Sequence, residues 1–408
     1  MKVQFNTSNA FGSFKGNPVT ILHNGQANSP TFVNSVEINR PLVLADRSVA
    51  SQGRTTLTIP ANATVTFNAP VITSNRTEVA FVANAGSRAV FNDLFMSRNN
   101  VYVSGSGTLV FNGPFHTCFR FYPNGFTGTI ELHSTGNRFN GLMGDYWTAG
   151  TIKTMVPYAF TAQNPRRVTE TSDATNNPID QDTRSLLSMK GETATLDLCG
   201  NDQIFGDMFA SSGIITSETP ATLYMDFTAT VVTEYTTGWK SRADKAVYTG
   251  AVNYSKWGAL PRWFMADSTS TGIVEVAEGM ITFSSGTINP VDMNPGGTAC
   301  NYDTPARGSW RKASAVVIKG GKMVFEHSES VGRKTDVRFE KMNNAYGKLR
   351  LESGVRQRVR ILYVDGVKQP VGTYGSTSSS AENKRDNLFE GAGILDVTGI
   401  PNFSIIFR

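Results

Sequence analysis

Apolar and polar residues alternate along this chain in short runs that soon break off. "TLDLCGNDQIFGDM" (Thr195 to Met208) is representative: Leu196 and Leu198 alternate with Thr195 and Asp197. Gly200-Asn201-Asp202 then turns the chain, Ile204-Phe205 makes a second short run, and Gly206 interrupts it. A period of two predicts strands, and the Gly, Asn and Asp clusters predict tight turns between them. "AVVIKGGKMVFEH" and "GKLRLESGVRQRVRILYV" read as strand-turn-strand units. "YVDGVKQPVGTYG" places Asp365-Gly366 at a hairpin tip. No window longer than a turn or two carries a helical period, so the expectation is an all-β chain.

The short strands recur. "TVTFNAP", "RAVFNDL", "TLVFNGP" and "GNRFNGL" share Phe-Asn at Phe67-Asn68, Phe91-Asn92, Phe111-Asn112 and Phe139-Asn140, with spacings of 24, 20 and 28 residues. A repeat of twenty-odd residues with variable loops predicts the coils of a parallel β-helix, whose successive strands stack about 4.8 Å apart. Phe67, Phe91 and Phe111 would then stack inside the tube. Asn68, Asn92 and Asn112 would bond from coil to coil at a corner away from water.

Residues 1–54 read as an N-terminal cap and first coils, and 55–150 as regular coils. Residues 151–185 are polar, lose alternation in their second half and read as a loop excursion. Coils resume over 186–363, and 364–408 supply a hairpin, a polar loop and closing strands. The expectation is a single rod spanning 1–408, about 65–85 Å long at one strand spacing per coil.

Composition supports this picture: charged residues are 17%, against 38 Gly and 25 Phe. The formal charge of +5 is local: residues 301–368 hold fifteen Lys and Arg against seven Asp and Glu, or +8, leaving −3 elsewhere. In "VRQRVRILYV", Arg356, Arg358 and Arg360 lie two apart and share one strand face, opposite Val355, Val359, Ile361 and Tyr363. Unpaired guanidiniums do not face an apolar core. They are expected to line an outer face, extended by Lys322 and Lys348 into a cationic strip for acidic polysaccharide or envelope phosphate. The alternative is pairing with Glu326, Glu340 and Glu352 across coils. Cys118, Cys199 and Cys300 fit no metal or disulfide spacing and read as small buried residues. There is no apolar run long enough for a membrane helix.

At this point the residues resemble a family. Leu196, Asp197, Leu198, Asn201, Asp202, Gln203, Ile204 and Gly206 are similar to the repeat of autotransporter passengers and of surface proteins with autotransporter-associated β-strand repeats. "GSGTLVFNGP", "NGFTGTIEL", Tyr248 to Phe283 and the closing "GAGILDVTG" resemble companion elements of that repeat. The resemblance implies a right-handed parallel β-helix, exported and either secreted or displayed at the cell surface. "MKVQFNTSNAFG" lacks the apolar core of an export signal, so that signal is expected to lie outside this sequence. No alternating ten-residue membrane strands close the chain, so a translocating barrel is not expected within it.

The same fold hosts polysaccharide hydrolases and lyases, which need two or three converging carboxylates or bound calcium. No Asp-Asp pair and no Asn-Thr-Asp occurs. His23, His116, His133 and His327 stand apart, and Asp180, Asp182 and Asp145 are weak candidates. Catalytic residues, metal and cofactor are therefore assigned as none. "KWGALPRWF" offers Trp257 and Trp263 as aromatic platforms for a sugar, with Lys256 and Arg262 beside them for an acidic one. The expectation is a non-catalytic surface solenoid, adhesin-like or structural. Its expected partners are acidic polysaccharide or cell-envelope glycan, and further copies along the solenoid. Nucleic acid is not expected, and a β-helical polysaccharide lyase or glycoside hydrolase is the alternative.

Overall fold

The computed structural model describes the chain except for residues 1–3, 6–7, 9–16, 24–29, 47–52, 75–76, 118–120, 124, 140–146, 161–185, 190, 206, 210–211, 227–242, 260, 287–305 and 400–408. The described residues form an all-β structure of long parallel sheets with no helix. The chain divides into two compact units, Met1–Asp207 with Ser211–Ile214, and Met208–Ala210 with Ile215–Arg408.

In the first unit the chain visits three sheets in strict rotation. Gly53–Ile59 lies on one, Thr64–Phe67 on the second and Val71–Thr73 on the third. Thr77–Ala83, Arg88–Phe91 and Phe95–Ser97 then repeat the circuit, and Val101–Gly105, Thr108–Phe111 and Phe115–Thr117 repeat it again. This is the arrangement of a β-solenoid. Each strand crosses one side of a coil, which is why the apolar runs are so short.

Parallel register places equivalent residues above one another. Phe67, Phe91 and Phe111 pair in register. Their rings stack at 4.7 and 4.8 Å, the spacing of neighbouring strands. Each ring is 1% exposed. The row begins at Ile38 and continues to Leu132, not to Phe139. Phe139 pairs with Thr117 on another sheet, so the fourth Phe-Asn is a chance match in sequence.

The residue after each row position forms an amide ladder. Nδ2 of Asn68, Asn92 and Asn112 donates to Oδ1 of Asn39, Asn68 and Asn92 at 2.6, 2.6 and 2.7 Å. Asn92 and Asn112 are exposed, which corrects the expectation of a corner closed to water. Solvent competes there, so each bond contributes at most about 1 kcal/mol. Thr151–Thr154 pairs with Thr129–Leu132 in the same sheet. Residues 151–154 of the expected excursion are thus a coil strand, and 161–185 lie outside the described residues. In the opening stretch Leu196, Leu198 and Phe205 are buried. Cys199 and Gly200 make its turn with φ of 48° and 77°.

Besides the two-stranded pair of Asp267–Ser268 with Ser309–Trp310, the described residues of the second unit present three sheets. Ala221–Asp226, Val252–Trp257, Ile273–Val276, Ala315–Ile318, Asp336–Phe339 and Leu362–Val364 follow one another on the first. Ala243–Tyr248, Pro261–Phe264, Met280–Phe283, Lys322–Phe325 and Lys348–Leu351 follow one another on the second. Arg356–Val359 belongs to the third, paired with Ile394–Val397. Antiparallel pairs then appear beside parallel ones, the latter including Gly372–Gly375 with Asn383–Lys384 and Lys348–Leu351 with Phe389–Glu390. Asp365 and Gly366, with φ of 47° and 76°, turn the chain into an antiparallel hairpin with Val367–Lys368. Gly372–Gly375 pairs antiparallel with Ile394–Val397. The three sheets finish on the two-residue strands Val367–Lys368, Phe389–Glu390 and Asn383–Lys384.

Candidate ligand-binding surface

The outward face of Arg356–Val359 follows from period-two geometry. Gln357 and Val359 are inside, while Arg356 and Arg358 point out with side chains 56% and 49% exposed. Both guanidiniums converge on Asp396, which stands in register on the neighbouring strand, at 3.1 and 3.6 Å. Arg360 does not continue the row. The strand ends at Val359, and Arg360 turns to Asp336, donating from Nε and Nη2 at 2.7 and 2.8 Å. Arg338 approaches the same carboxylate at 3.6 Å. Two Arg–Asp–Arg groups therefore replace the uniform strip, and each keeps one net positive charge.

The expected glutamate partners are engaged elsewhere. Glu352 takes Arg350 at 2.7 Å, Glu340 lies 3.8 Å from Lys319, and Glu326 accepts the Ser285 amide at 2.9 Å. Lys322 and Lys348 do stand in register with one another, but on the second sheet. Lys322 pairs with Glu390 at 2.7 Å, and Lys348 Nζ donates to the Asp386 carbonyl. Neither extends the arginine row.

The aromatic candidates also separate. Arg262 and Trp263 are 1% and 4% exposed, so neither reaches a surface ligand: Arg262 faces the interior, while Trp263, on the opposite strand face, packs with Met265 and is covered by Met280 and Ala306. Arg262 stands in register with Ile281, itself in register with Met323, on the inner side of the second sheet. Its Nε lies 3.7 Å from Asp244 Oδ2, and Tyr248 donates to that oxygen at 2.6 Å. Burial pushes the Asp244 carboxyl above the usual carboxylate range, opposed by Arg262, Tyr248 and the Ala246 amide. Lys256 is wholly buried too, and its Nζ donates to the carbonyls of Gly258 and Glu278 at 2.6 and 2.9 Å. Charge inside this unit therefore fastens coils together. Trp257 alone of the group is half-exposed, and its Nε1 donates to Ser255 Oγ at 2.9 Å.

Sequence reading missed a cleft of ≈ 170 Å³ on the outer side of the first sheet, lined by Thr222, Tyr224, Asn253, Tyr254, Ser255, Ile273 and Glu275. Its residues come two or three per coil from three coils, so no local motif marks it.

Of the histidines, His327 is the best anchored. Its Nε2 donates to the Gly308 carbonyl at 2.7 Å, and its Nδ1 accepts from Arg307 at 3.1 Å. Desolvation lowers its pKa, and the Arg307 charge acts in the same sense. Asp145, Asp180 and Asp182 lie outside the described residues. Among the described residues no three His, Cys, Asp or Glu side chains are placed to share a metal ion. Comparison of the chain with family models, curated proteins and solved structures returns no match.

Proposed function

We propose that the chain is a non-catalytic, exported surface protein: a right-handed parallel β-helix running as one rod and binding acidic glycan through its arginine groups. The carrying observation is the pair Arg356 and Arg358, outward and half-exposed around the single carboxylate of Asp396. A guanidinium has five donors, and one shared carboxylate cannot take them all. Uronate or sulfate groups spaced along a polysaccharide fit the remainder by bidentate contact. Arg360 with Arg338 on Asp336 supplies a second such point within the same unit. The reading as an adhesin-like or structural solenoid draws on the repeat resemblance and on the strict rotation of strands through three sheets.

The test is salt elution from a heparin resin. Arg356→Gln/Arg358→Gln is the informative variant, because Arg360→Gln would strand the buried Asp336. The double variant is expected to elute at clearly lower salt than the parent. Elution at the same salt would show that both guanidiniums serve Asp396 alone.

A further inference from the structure

We propose that the cleft on the first sheet of the second unit is a binding site for a single neutral sugar ring, separate from the arginine groups. Two rows of outward side chains build it. Tyr224, Ser255 and Glu275 stand in register on three successive strands. Thr222 and Asn253 form the second row, and Asn253 Oδ1 accepts the Ile273 amide at 2.8 Å, which fixes the orientation of the side-chain amide.

A hydrogen-bond chain crosses the floor. Trp257 Nε1 donates to Ser255 Oγ at 2.9 Å, and Ser255 Oγ donates to Glu275 Oε1 at 2.8 Å. Lys319 Nζ holds Glu275 Oε2 at 2.8 Å and lies 3.8 Å from Glu340. Burial works against the Lys319 cation, but the hydrogen bond and charge of Glu275 together with the Glu340 charge outweigh it and leave its pKa above the ordinary lysine value. The Glu275 carboxylate is thus locked in place, with the Lys319 ammonium against one oxygen and Ser255 Oγ against the other. Each of its oxygens has a second lone pair for a ligand hydroxyl.

This chemistry selects its ligand. A fixed carboxylate accepting from two neighbouring hydroxyls, an amide, two hydroxyl side chains, a tyrosine ring and one isoleucine match a pyranose, which has hydroxyls at its rim and C–H groups on its face. A carboxylated sugar would meet Glu275 with its countercharge already used. An amine would meet Lys319. The volume, ≈ 170 Å³, lies below the range of about 300–1,000 Å³ common for drug-sized ligands. It therefore fits one ring, or one residue of a longer chain passing over the sheet.

Saturation-transfer NMR on the full chain tests this, with the methyl glycosides of glucose, galactose, mannose, N-acetylglucosamine and glucuronic acid. At least one neutral glycoside is expected to bind saturably and glucuronide not to compete. Glu275→Gln should weaken binding about tenfold or more, since a hydrogen bond to a charged group has that magnitude, and Tyr224→Ala should weaken it by removing the ring face. Arg356→Gln/Arg358→Gln should bind the neutral ring as the parent does, which separates this site from the polyanion surface. Glu275 and Tyr224 are surface residues, and unchanged far-UV circular dichroism of their variants will show that the fold is kept. If Glu275→Gln unfolds, Thr222→Val replaces it and should weaken binding. No transfer to any neutral glycoside, equal binding of glucuronide, or parental affinity in the variants overturns the proposal.

Discussion

Replacing Phe91 by alanine probes the stacked row at its centre. The ring is 1% exposed and lies between Phe67 and Phe111 at 4.7 and 4.8 Å. Phe81 and Phe95 meet it edge-on at 5.5 Å. Truncating a buried phenylalanine costs about 3–5 kcal/mol, depending on how far the surroundings collapse. Collapse is restricted here, because hydrogen bonds on both sides of Arg88–Phe91 fix the distance between coils. The upper half of that range is expected. Phe91→Leu should cost only about 1–2 kcal/mol, because leucine fills most of the volume and loses mainly the ring–ring terms. Leu132 already occupies the equivalent place two coils on. Guanidinium unfolding followed by circular dichroism gives the loss. Hydrogen exchange at Val90 and Phe111 localises it, which matters because repeat structures need not unfold in two states. A loss for Phe91→Ala below about 1 kcal/mol, with exchange at those amides unchanged, would refute the argument that the rings hold the coils together.

Two further outcomes follow from proton affinity. The folded-state pKa of His327 is depressed, so the unfolded chain takes up the proton first. Stability from this residue is full above the ordinary histidine value and falls as pH drops below about 6.5. Urea midpoints measured from pH 7.5 to 5 should show that fall in the parent and a smaller one in His327→Gln; parallel curves would count against the neutral Nε2–H form. Burial pushes the Cys199 thiol up to about 11, with Asp197 acting in the same sense. In a Cys118→Ser/Cys300→Ser background its alkylation at pH 8 should run about a hundredfold slower than that of an unperturbed thiol, and a rate near that of glutathione would contradict the assignment.

The parts legible in sequence were those repeated in it. Alternation and turn residues marked the strands, and Phe-Asn marked a row of stacked side chains because register copies one coil's position onto the next. The motif misled at Phe139, whose strand belongs to a different sheet. Leu132 and His133 fill the row there instead, since the interior asks for apolar volume and not for phenylalanine as such. Arg262 misled for the opposite reason. Beside two tryptophans it read as a surface cation, but its partner Asp244 lies in "ADKAVY", alternating inward with Ala246 and Tyr248. Finding that pair in sequence needs the register between strands. The sugar cleft was illegible for the same reason, because Tyr224, Ser255 and Glu275 meet only once three coils are stacked.

The way the sheets of the second unit finish bears on assembly. A parallel sheet that simply stopped would offer its last strand as a template, and another chain could add to it without limit. Here the final strands are Val367–Lys368, Phe389–Glu390 and Asn383–Lys384, each two residues long. Each presents a charged side chain at the edge, two of them lysines, and the Val367–Lys368 and Asn383–Lys384 pairs are exposed. Strands this short hold too few free backbone donors and acceptors to dock an incoming chain, and docking would also desolvate a lysine. The direction reversal at Asp365-Gly366 further takes the backbone out of the parallel pattern that an added coil would have to copy. Among the described residues these short, charged edges therefore oppose the addition of another chain.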